Sequence, residues 1–87
     1  MSAKQVVVDI PEKVLLAAKM DANRFGAEMR LLTAVKLFEL GRLSSGRAAE
    51  LAGIPRVEFL LKLGEYQVFP FSAELEDLEE EYAGRDQ

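Results

Sequence analysis

The sequence predicts a mainly α protein with one short strand at its N-terminus. Three observations carry that expectation. A β-branched run, Gln5–Ile10 (QVVVDI), is closed by Pro11. Apolar residues then recur at three- and four-residue steps through the middle of the chain. Glycines at Gly41, Gly53 and Gly64 fall just past the periodic stretches, where helices commonly stop.

In the strand, Val6, Val8 and Ile10 share one face, and Gln5, Val7 and Asp9 the other. Pro11 and Glu12 suit the start of a helix, which is expected over about Glu12–Asp21, with Val14, Leu15, Ala17, Ala18 and Met20 available for packing. Asp21–Gly26 (DANRFG) reads as a break, because Asn23 and Gly26 are turn residues. A second helix is expected over about Ala27–Leu40. Leu31, Leu32, Val35, Phe38 and Leu40 form its apolar series, with Glu28, Arg30, Lys36 and Glu39 facing water.

After a linker at Leu43–Gly46, with Ser44 or Ser45 as N-cap, a third helix is expected over Gly46–Ala52. A fourth runs from Pro55 to Leu63 and stops at Gly64. Tyr66–Phe71 (YQVFPF) reads as an extended edge segment, and Ala73–Tyr82 as a helix-prone tail with Ser72 as its cap. Three units follow: a strand-helix-helix dimerisation unit over 1–42, a helical hairpin over 43–66, and an extended segment with an acidic partner-binding tail over 67–87.

Composition narrows what such a chain can do. Its 87 residues include no cysteine and no histidine, so no disulfide can staple the fold and no histidine-based metal site or proton relay is possible. A chain this short buries only ~60% of its unfolded surface. Association is the staple that remains. No signal peptide and no membrane-spanning stretch is recognisable, so a cytoplasmic location without membrane contact is expected. Carboxylates are plentiful, yet nothing gathers them around a pocket, and there is no glycine-rich phosphate loop. Neither enzymatic activity, catalytic residue, metal nor cofactor is expected.

Charge is unevenly spread. Of 15 acidic residues, seven lie between Glu74 and Asp86, opposed there by Arg85 alone. The chain before Ser72 is slightly basic. Such asymmetry marks a body that binds nucleic acid or a partner and carries an interaction tail.

The strand followed by two helices resembles the ribbon-helix-helix arrangement of small prokaryotic repressors. One strand has no partner of its own, and pairing Gln5–Ile10 with its copy from a second chain would satisfy it, giving a homodimer. In that arrangement the outward strand residues read bases, here Gln5, Val7 and Asp9. Gly46–Leu63 resembles a helix-turn-helix: small Ala49 where a second helix crosses, Gly53 at the turn, and Ala48, Ile54 and Phe59 closing a miniature core. Arg56, Val57 and Lys62 are its candidate DNA contacts, with Arg42 and Arg47 for the backbone. Whether operator DNA is met by the strand, by the hairpin or by neither stays open.

In the tail, Leu75, Leu78 and Tyr82 recur on one side, with acids nearly everywhere else. Like charges at Glu76/Glu80 and Asp77/Glu81 each cost a free helix ~0.2–0.5 kcal/mol. The tail is therefore expected to be disordered alone and to fold on a partner offering a groove and positive charge, with Glu76, Asp77 and Arg85 among its contacts.

Val35–Phe59 (VKLFELGRLSSGRAAELAGIPRVEF) carries a wider resemblance, through its L-x-E-x-G-R-L-S run and A-A-E-L-A-G followed by R-x-x-F. It is similar to uncharacterised protein family 0175, small VapB-like prokaryotic antitoxins. That resemblance implies a PIN-like ribonuclease toxin as partner, encoded next door, and autoregulation of the shared operon. The alternative function is a free-standing dimeric DNA-binding transcription regulator.

Overall fold

The computed structural model describes residues 3–69. Among them the chain is mainly helical: α1 (Glu12–Ala18), α2 (Ala22–Glu39), α3 (Ser45–Ala52), α4 (Arg56–Lys62) and a 3₁₀ turn (Leu63–Tyr66), with no strand. The expected ribbon at Gln5–Ile10 is neither helix nor paired strand. Among the described residues no backbone hydrogen bond reaches Ala3–Ile10, since a lone ribbon finds no neighbour within a single chain.

α1 is shorter than expected. It ends at Ala18 because Lys19 turns into the left-handed region at φ 58°, and its N–H returns to the Leu15 and Leu16 carbonyls. The break expected over Asp21–Gly26 is not there. Asp21 instead caps α2, its Oδ1 accepting the Arg24 N–H at 2.8 Å, and the helix runs on through Asn23 and Gly26. Turn propensity at two residues is a weak preference beside a well-placed cap, and helical Gly26 costs about 1 kcal/mol against alanine.

α2 ends as its sequence suggests, with Gly41 at φ 76°. Ser44, rather than Ser45, caps α3 by accepting the Arg47 N–H at 3.2 Å. Gly53, at φ 75°, turns the chain toward α4, as the helix-turn-helix-like spacing requires. The stop expected at Gly64 comes later. The backbone tightens through Gly64 into the 3₁₀ turn, and the left-handed residue is Gln67 at φ 57°. Tyr66 therefore belongs to that turn and not to an extended segment; Val68 beyond it is buried, while Pro70, Phe71 and the whole expected tail lie outside the described residues.

One core joins the expected dimerisation unit to the hairpin. Ala34, Val35 and Phe38 of α2 pack with Ala48 and Ala49 of α3, Phe59 and Leu60 of α4, then Leu63 and Val68. Phe38 and Phe59 meet edge to face, centroids 5.9 Å apart and planes at 88°, a favoured aromatic geometry. Ala48 and Ala49 are fully or almost fully buried, so a larger side chain on either would hold the helices apart. Ile54 packs against the same core, completing the expected Ala48–Ile54–Phe59 contact.

The apolar series of α2 divides where the sequence reading had treated it as one. Leu31, Val35 and Phe38 face the core, but Leu32 and Leu40 are exposed. At about 100° per residue, Phe25, Met29 and Leu40 lie on the side of α2 roughly opposite Leu31, Val35 and Phe38. α2 is apolar on two sides, and the hairpin covers only one.

Candidate functional site

The uncovered side of α2 lies beside the N-terminal arm. Val6, Val8 and Ile10 line a groove of about 820 Å³ with Leu15 of α1 and with Phe25, Met29 and Thr33 of α2. Asp9, expected on the other face of the arm, lines it too. The contact is loose: Val6 is 85% exposed and Val8 54%, and α1 has no buried residue. Asp9, Asn23, Arg30 and Thr33 are the polar side chains at the groove. Among the described residues, no three carboxylates gather to hold a metal ion.

Arg30 was expected only to face water. Its Nε in fact donates to the Leu51 carbonyl at 2.8 Å, and its guanidinium lies over Gly53, 3.4 Å from where a Cβ would stand. One side chain thus lines the groove and caps the C-terminal end of α3. Nothing in its spacing announces this, because the bond joins residues from two elements.

Arg42 and the four hairpin positions expected at DNA are placed very differently. Val57 is 4% exposed; it faces inward with Phe59 and Leu60 and cannot touch a base. That corrects the reading of Val57 as a contact residue. Its three-residue step to Leu60 carried the inward signal. The half-buried Arg56 donates through Nε to the Ser45 hydroxyl at 2.9 Å, tying the start of α4 to the start of α3. Ser45 is itself buried, so this bond satisfies a hydroxyl that would otherwise be stranded. Arg47 is exposed but turned along its own helix, with Nη1 3.0 Å from each Glu50 carboxylate oxygen. Lys62 is half-buried and Arg42 is exposed in the loop after α2. Gln5 is exposed on the arm, far along the chain from these.

What α4 does turn outward is Glu58 and Leu61, and the 3₁₀ turn after it exposes Glu65. Leu61 is 55% exposed. Phe69, close to the end of the described chain, is 81% exposed. The tail residues expected at a toxin, Leu75, Glu76, Asp77, Leu78, Tyr82 and Arg85, lie outside the described residues. No helix among the described residues is long and apolar enough to cross a membrane.

The model of the family described as Uncharacterised protein family (UPF0175) matches residues 1–86. No curated protein and no solved structure matches the chain.

Proposed function

The chain belongs to the UPF0175 family, and from that premise we propose that it is the antitoxin of a type II toxin–antitoxin pair. In this reading it works as a homodimer and neutralises a PIN-like ribonuclease by protein–protein binding. The observation that carries the proposal is the charge and apolar pattern of the C-terminal stretch. Leu75, Leu78 and Tyr82 fall at helical spacing among seven acids, a pattern fitted to a basic, grooved protein surface. A surface that binds RNA is basic for the same electrostatic reason. The tail would lie across it, its acids standing in for phosphates and Arg85 reaching the carboxylates that hold the enzyme's metal.

The half-filled groove supports the dimer. A second copy would bring a second arm alongside the first, supplying partners for the backbone of Gln5–Ile10 and covering Val6, Val8 and the bare side of α2. Autoregulation of the shared operon then falls to the paired arms, where Gln5 and Val7 are exposed. A free-standing transcription regulator is the weaker reading, because a DNA-reading hairpin would need cations where α4 presents Glu58 and Leu61.

Co-expression with the product of the adjacent gene, followed by affinity capture, tests the proposal. A stable complex that also silences ribonuclease activity is the expected result. A chain truncated after Phe71 should lose the complex yet remain dimeric. Unchanged affinity on truncation would remove the tail from the mechanism.

A further inference from the structure

We propose that the outer face of α4 is a second docking surface for the same protein partner, so that the hairpin grips protein rather than DNA. The inference rests on the antitoxin reading and adds to it a site on the folded body. Glu58 and Leu61 are three residues apart on α4, which makes them neighbours on its surface, and Glu65 follows in the 3₁₀ turn that continues the helix. All three are exposed, with Leu61 an apolar centre between two carboxylates. The half-buried Lys62 stands four residues after Glu58 and three before Glu65, one cation against two acids.

Charge selects the occupant. DNA is repelled by Glu58 and Glu65 at the positions where a recognition helix meets phosphates. A second copy is disfavoured at this face because its own α4 presents the same acids. The acidic tail of the same chain is repelled likewise. A protein with an apolar pocket rimmed by Arg or Lys fits, since exposed Leu61 fills the pocket and the two carboxylates meet the rim. The chain beyond Phe69 repeats this chemistry, with Leu75, Leu78 and Tyr82 among acids. One basic partner can therefore engage both segments, and linkage makes the second contact intramolecular.

The test is calorimetric titration of the full chain into the adjacent-gene product, comparing the parent with Leu61→Ala, with Glu58→Lys/Glu65→Lys, and with Leu75→Ala/Leu78→Ala. The α4 side chains are exposed, so far-UV circular dichroism should match the parent and exclude misfolding. Each α4 variant is expected to weaken binding about tenfold, and the charge-reversal loss should shrink as salt rises. If both α4 variants bind within about twofold of the parent while the tail variant loses affinity, the α4 site is wrong and the antitoxin reading stands. If the parent itself does not bind, the antitoxin reading falls and this site falls with it. Loss of operator binding by Leu61→Ala, with partner affinity kept, would assign the face to DNA and overturn the proposal.

Discussion

The two sides of α2 keep different company. Toward the hairpin, Ala34, Val35 and Phe38 are packed almost to exclusion of water, against Phe59 and Leu63, both fully buried. Toward the arm, the same helix borders an open groove walled by a segment whose valines are largely in water. The hairpin side closes on itself with local devices: a serine cap, a left-handed glycine and an edge-to-face aromatic pair. The arm side has apolar surface of similar character and nothing in the single chain to cover it. The difference teaches that apolar content alone does not make a core; it needs elements returned onto it by the chain, and only α3 and α4 are.

The largest expected effect breaks the closed side. Phe59→Ala should cost about 3–5 kcal/mol, because Phe59 is fully buried and in contact with Phe38. Urea denaturation read by circular dichroism measures it, and a loss below about 1 kcal/mol would mean the core is not closed. The same kind of change on the open side should act otherwise. Val6→Asp/Val8→Asp should leave single-chain stability within about 0.5 kcal/mol, since both residues are exposed, while abolishing the dimer in sedimentation experiments.

Local signals were legible where chemistry acts within a few residues. Ser44, Gly41 and Gly53 end or begin helices because a hydroxyl or a missing Cβ suffices there. The start of α2 was misjudged because Asn23 and Gly26 look like turn residues, while Asp21 had already capped the helix. The exposed Leu32 and Leu40 depend on which neighbour each face meets, and spacing along one helix does not name the neighbour. Arg30 and the Arg56–Ser45 bond were invisible for a related reason: each joins residues far apart in sequence.

Smaller effects sharpen the contrast. Gly53→Ala should cost roughly 1 kcal/mol or more, from forcing a Cβ into the left-handed region beside the Arg30 guanidinium. Ser44→Ala should cost about 1 kcal/mol through loss of the α3 cap. Gly26→Ala, where a Cβ meets nothing within 4 Å, should instead stabilise α2 by about 0.5–1 kcal/mol. Thermal unfolding ranks all three. Weakest is the exposed Lys36–Glu39 pair at 2.8 Å, whose removal should shift stability by no more than about 0.5 kcal/mol and vanish in high salt.

Amide hydrogen exchange as a function of protein concentration tests most directly whether another molecule completes the arm side. The Val6, Val7 and Val8 amides should exchange freely in dilute solution and become protected as concentration rises, while the Phe59 and Leu60 amides stay protected throughout. Free exchange of the three valines at every concentration, in a protein that sediments as a monomer, would contradict it.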